Sequence, residues 1–112
     1  MQHPDLRPHC VQEVADTTLS LMLALVRHTL KLNTFVSSGG GWTRQAALPG
    51  RGIRRIRGMR LGLVGLGRIG TAVAQRARAF GFEIGFYDPH LPPGVHKGLG
   101  GLWRAASFHE VR

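Results

Sequence analysis

Three glycines in the run Gly65-Leu66-Gly67-Arg68-Ile69-Gly70 restrict what this chain can fold into more than any other feature. The run follows a short apolar segment, Arg60 to Val64. It opens a stretch in which Ile69, Ala72, Val73, Ala77 and Phe80 recur at helical spacing toward a stop at Gly81. Phe82 to Asp88 then returns to strand character. Strand, glycine turn, helix and second strand within about thirty residues make the right-handed crossover unit of parallel sheets.

The fold class read from this pattern is α/β: a partial Rossmann unit, belonging to a doubly wound parallel sheet and preceded by a long helix. In such a unit Gly65 permits the tight turn, Gly67 lets the backbone approach a pyrophosphate, and Gly70 lets the helix pack close to the strand. Leu66, Arg68 and Ile69 complete the loop. The helix that starts there presents free N–H groups and a partial positive charge to phosphates, and Arg68 adds a side chain beside them. Asp88 follows the last motif glycine by 18 positions, where a carboxylate accepts hydrogen bonds from ribose hydroxyls and repels a 2′-phosphate. Gly65, Leu66, Gly67, Arg68, Ile69, Gly70 and Asp88 are therefore the expected cofactor-binding residues, and NAD is favoured over NADP.

Upstream, residues 11–32 read as one helix, with Val14, Leu21, Leu25 and Leu32 on a stripe widened by Leu19, Met22, Val26 and Leu30. That stripe is expected to be buried. Residues 1–10, with two prolines, read as an irregular lead-in, and residues 33–59 as a connector containing a short helical turn. The connector is broken at Ser37-Ser38-Gly39-Gly40-Gly41 and at Pro49-Gly50-Arg51-Gly52, and Trp42 within it reads as a packing anchor. After Asp88, residues 89–94 form a rigid proline-rich loop and residues 98–101 a flexible one. Ser107-Phe108-His109-Glu110 has capping-box spacing, so another helix begins there. The sequence stops two residues later, and an incomplete domain is expected.

Charge and composition limit the alternatives. With 15 Lys plus Arg against 6 Asp plus Glu, the net charge is +9, which favours anionic partners. No basic helix or aromatic-interleaved patch stands out, so the excess reads as solvated charge and not as a nucleic-acid surface. Cys10 stands alone, which excludes an internal disulfide and a Cys-x-x-Cys metal site; no metal is expected. None of the six histidines sits in a base-plus-orienter pattern, and Glu13 and Asp16 read as capping or solvent-facing. The densest apolar run, Leu19 to Val26, falls far short of the ~20 residues that cross a bilayer, and no signal peptide is visible. No membrane partner is expected.

Beyond the glycines, Arg57-Gly58, Leu61 to Gly70, Ala77-Arg78-Ala79-Phe80-Gly81-Phe82 and Phe86-Tyr87-Asp88-Pro89 resemble the nucleotide-binding domain of the D-isomer-specific 2-hydroxyacid dehydrogenases. Glu13 to Leu19 resembles the start of that family's long helix between substrate and cofactor domains. The resemblance implies residues 11–59 as inter-domain helix and connector, and residues 60–112 as the N-terminal part of the NAD-binding domain. It implies an NAD-dependent oxidoreductase acting on CH–OH donors, whose catalytic arginine, glutamate and histidine lie downstream of this sequence, so no catalytic residue is assigned. It also implies a homodimer in the full-length family. Tyr87-Asp88-Pro89-His90-Leu91 and Gly94-Val95 are similar to the C-terminal-binding-protein branch, NAD-sensing corepressors that bind transcription factors, whereas Gly41-Trp42 is similar to the ordinary dehydrogenases. A cytoplasmic or nuclear location is expected for either branch.

Overall fold

The computed structural model describes residues 6–39 and 52–111; Gly40, Gly41, Trp42 and the break at Pro49-Gly50-Arg51 lie outside the described residues. In chain order the elements are helix α1 (Leu6–Val26), helix α2 (Thr29–Ser37), strand β1 (Arg60–Val64), helix α3 (Arg68–Ala79), strand β2 (Glu83–Tyr87), a 3-10 turn (Val95–Leu99), strand β3 (Leu102–Arg104) and helix α4 (Phe108–Val111). They fall into two compact units, residues 1–19 with 56–112, and residues 20–55.

The first unit holds a three-stranded sheet of order β1-β2-β3, parallel throughout. Its register pairs Gly62 with Gly85 and Gly85 with Trp103, and pairs Leu63 with Phe86 and Phe86 with Arg104. Paired residues share a face, and neighbours along a strand alternate between faces. Leu61, Leu63, Ile84 and Phe86 therefore lie on one face, where Ile84 and Phe86 are the largest fully buried side chains. Burying each contributes about 1.5–3 kcal/mol. Helix α3 packs against β2 and buries Ala72, Val73, Ala74 and Ala77.

The opposite face is shaped by its two glycines. The indole of Trp103 lies across Gly85 so closely that a Cβ there would collide with the ring. At Gly62 a Cβ would collide with the Val111 carbonyl of α4, which packs on β1 and β2. The Arg60 guanidinium sits 5.4 Å from the Trp103 ring centroid. Within the same unit Arg76 Nε donates to Asp16 Oδ1 at 2.7 Å and its other arm reaches the Gln12 side chain, tying the first half of α1 to α3.

Several expectations are corrected. The lead-in becomes helical at Leu6, and the single helix expected over 11–32 is two helices. His28 divides them in the left-handed region, at φ 55°. The connector expected from residue 33 starts later, because α2 continues to Ser37. Of the apolar stripe expected to be buried, Leu19 is buried, but Val14, Leu21 and Leu25 are 44%, 67% and 76% exposed, and Ala15, outside the stripe, is buried with Leu19. Ile69 and Phe80, at the two ends of the α3 spacing, also stay exposed, since only the middle of that helix lies over the sheet. β3 was not foreseen, because three residues are too few to show an alternation. Finally, Glu110 reaches back to the N–H of Ala106, at 2.7 Å, one residue before the position its capping-box spacing indicates.

Candidate functional site

The C-terminal ends of β1, β2 and β3 meet at one edge of the first unit. Past β1, the N–H of Gly65 donates to the Tyr87 carbonyl at 2.7 Å, and Gly65 then turns the chain with φ +95°, a region side chains rarely adopt. Leu66 buries its side chain and points its N–H at Asp88 Oδ2, 2.8 Å away. Gly67 is extended and caps α3 without any side-chain hydrogen bond. The first helical bond runs from the Thr71 N–H to the Gly67 carbonyl at 2.9 Å, so the N–H groups of Arg68, Ile69 and Gly70 have no acceptor in their own helix.

The three glycines meet three different surroundings. A Cβ on Gly70 would stand 2.5 Å from the Gly65 carbonyl oxygen, so helix and turn approach as they do only because it is absent. A Cβ on Gly67 would meet nothing within 4 Å; it would project into the open space in front of the helix N-terminus. Gly65 is limited by its backbone conformation and not by neighbours. Arg68 and Ile69 are exposed and, with Gly65, Gly67, Gly70 and Val64, line a groove of about 670 Å³.

Asp88 stands across from this loop. Its second oxygen, Oδ1, accepts the N–H of His90 at 3.0 Å, so both carboxylate oxygens are fixed by main-chain donors. The Leu66 N–H foremost, then that of His90, with the charges of His90 and Arg104 assisting, holds the carboxyl below the ordinary aspartate range. It is therefore an anion at neutral pH, with lone pairs left over for hydroxyl donors. Tyr87, Asp88, Pro89, Arg104, Ala105 and Ala106 line a cavity of about 390 Å³ beside it. All seven residues expected from the sequence are thus brought together where the strands end.

Arg104 is the residue the sequence did not indicate. One of its terminal nitrogens donates to the carbonyls of Asp88 at 2.8 Å and Leu91 at 2.7 Å, and the other to Pro92 at 3.4 Å. Its guanidinium lies 5.8 Å from the Phe86 ring centroid, on the face the two residues share through the β2–β3 register. Among the histidines, His96 packs its ring against Phe86 at 5.1 Å, and His90 donates its N–H to Asp88.

A turn whose glycines allow close backbone approach, an uncapped helix N-terminus and an opposed carboxylate have the chemistry that a dinucleotide-binding turn requires. Residues 19–111 match the family model described as D-isomer specific 2-hydroxyacid dehydrogenase, NAD binding domain. The chain belongs to this family. Its cofactor, through that domain, is NAD.

Among members of the family, C-terminal-binding protein 1 of Caenorhabditis elegans is 45% identical over 95 residues, covering 80% of this chain. D-3-phosphoglycerate dehydrogenase of Methanocaldococcus jannaschii is 40% identical over 87 residues, covering 78% of it. The chain spans only 13% and 16% of the length of these two relatives. Among solved structures, a phosphoglycerate oxidoreductase from Rhizobium etli matches with a TM-score of 0.75 at 28% identity, over 90% of this chain and 32% of that one. An NADPH-dependent glyoxylate/hydroxypyruvate reductase of Sinorhizobium meliloti matches with a TM-score of 0.71 at 33% identity, over 93% of this chain and 30% of that one. The family's parallel α/β architecture is the one seen here. No helix among the described residues is long and apolar enough to cross a membrane.

Proposed function

We propose that this chain supplies the phosphate-binding and adenosine-binding part of an NAD site in an oxidoreductase of 2-hydroxy acids. When bound, the nicotinamide would exchange a hydride with the carbon bearing the hydroxyl. The chain's own residues bind and orient. Gly67 leaves room for the pyrophosphate, the N–H groups of Arg68, Ile69 and Gly70 donate to it, and the Arg68 side chain adds positive charge. Gly65 and Gly70 hold the turn against the helix, and Leu66 joins it to Asp88. Asp88 accepts the ribose hydroxyls and disfavours a 2′-phosphate.

The observation that carries this reading is the bond from the Leu66 N–H to Asp88, which sets an ionised carboxylate opposite an uncapped helix N-terminus. Calorimetric titration of the chain with NAD and with NADP tests it. Saturable binding of NAD, at least about tenfold tighter than NADP, is expected; equal affinity for both, or no binding of either, would remove it.

A second reading is favoured by the identity to C-terminal-binding protein 1 over 95 residues. In it, NAD binding governs assembly with a second copy and with a transcription factor, in the nucleus, and no turnover is required. Capture of the full-length protein by immobilised transcription-factor peptides, with and without NAD, separates the two. Capture that rises with NAD supports the second reading, and capture indifferent to NAD leaves it without a basis.

A further inference from the structure

Arg104 is placed where neither the glycine loop nor the acidic residue would call for an arginine. It stands at the end of β3, half-buried, with its guanidinium bonded to three carbonyls of the segment Asp88–Pro92, those of Asp88, Leu91 and Pro92. The same segment and Arg104 itself line the cavity beside Asp88. Asp88 is thereby held at both ends: its carboxylate by the N–H groups of Leu66 and His90, and its carbonyl by Arg104. The guanidinium lies over Phe86, which is wholly buried, so the arginine is supported by the sheet face as well as by the three carbonyls.

We infer that Arg104 is a positioning residue for the adenosine end of the dinucleotide: by fixing the Asp88–Pro92 backbone it sets the direction in which Asp88 meets the ribose 2′-hydroxyl. The inference rests on the NAD reading given above. A planar guanidinium can engage several carbonyls at once with little further loss of freedom, whereas an ammonium acts as a single point donor. Arginine at this position therefore controls direction as well as charge.

The test compares two ligands on each variant, so that the fraction of protein folded cancels. Titrating the chain with NAD and with its 2′-deoxyadenosine analogue reads the hydrogen bond between Asp88 and the 2′-hydroxyl as a ratio of Kd values. A bond to a charged acceptor corresponds to a ratio of about tenfold or more, and that is the expectation for the unaltered chain. Arg104→Met is expected to bring the ratio below about threefold. Arg104→Lys, which keeps the charge and serves where Arg104→Met does not fold, is expected to bring the ratio below about threefold as well. A ratio still near tenfold in either variant, whatever the affinity, would assign Arg104 to stability alone and overturn the inference. An unaltered chain that binds NAD without distinguishing the analogue also overturns it. An unaltered chain that binds neither ligand removes the NAD reading itself.

Discussion

The N–H of Leu66 and the carboxylate of Asp88, 22 positions apart in the chain, meet at 2.8 Å and join the turn after β1 to the end of β2. The bond makes one group serve two purposes, holding the loop and facing the ligand. In Asp88→Asn the amide still has an oxygen for one of the two N–H groups, but the charge is lost and an NH2 faces the other. NAD affinity is expected to fall about tenfold, with the preference over NADP narrowing. Titration of the variant with both cofactors measures this.

The same carboxylate sets a pH dependence whose sign is fixed. Its folded-state pKa is lowered, by the Leu66 N–H first and the His90 N–H second, so its contribution to stability is fully present above the ordinary aspartate value of about 3.9. It is lost as pH falls through the lowered folded value. Thermal melts of the wild-type chain and Asp88→Asn are expected to differ by a constant amount at pH 5 to 7, and to converge as the pH drops below about 4. A difference that grows toward acid pH would contradict the assignment.

Gly67 and Gly70 are expected to respond differently to the same substitution. Gly70→Ala places a methyl 2.5 Å from the Gly65 carbonyl oxygen and should cost about 1–3 kcal/mol of stability, with NAD binding lost as the turn shifts. Gly67→Ala meets open space and should leave the melting temperature within about 2 °C. It should nevertheless weaken NAD binding about tenfold or more, because the methyl takes the place of phosphate. Paired melting and titration experiments distinguish the two.

At the sheet centre, Gly85→Ala is expected to destabilise the chain by about 1–3 kcal/mol, because the new methyl meets the Trp103 indole. Trp103→Leu removes the ring, and in that background the alanine should cost less by about 1 kcal/mol or more. Denaturant unfolding of the four proteins measures the coupling.

Arg76 is a contrasting case. Its ion pair with Asp16 at 2.7 Å is short, yet the two side chains are 27% and 61% exposed. Arg76→Ala should therefore change stability by no more than about 1 kcal/mol, and less at high salt.

What the sequence made legible follows the range over which each signal acts. β1 spans Arg60–Val64 and α3 stops short of Gly81 as expected, because glycine turns and helical spacing are local signals. The family was legible for the same reason: most of its residues lie in short stretches close to the loop in the chain, between Arg57 and Pro89. Arg104 was not legible, since its role comes from pairing with Phe86 and from carbonyls 12 to 16 positions away. The fit of Trp103 onto Gly85 is equally non-local. His28 shows the converse, a residue inside an apolar helical pattern that nevertheless adopts a left-handed conformation, with its Nδ1 buried and without a hydrogen-bond partner. The exposed Leu21 and Leu25 show that periodicity marks a face able to be covered, without saying what covers it.

In the sheet of the described residues, β1 has a strand neighbour on one side only, and its last residue leads directly into Gly65. The five residues that would receive another strand are thus the same five that aim the turn. Any influence that a strand taking up that edge has on affinity at the turn must be returned in equal measure by whatever occupies the turn. Pairing along β1 and ligand capture at its tip then form a single thermodynamic cycle, so either can be measured by titrating the other.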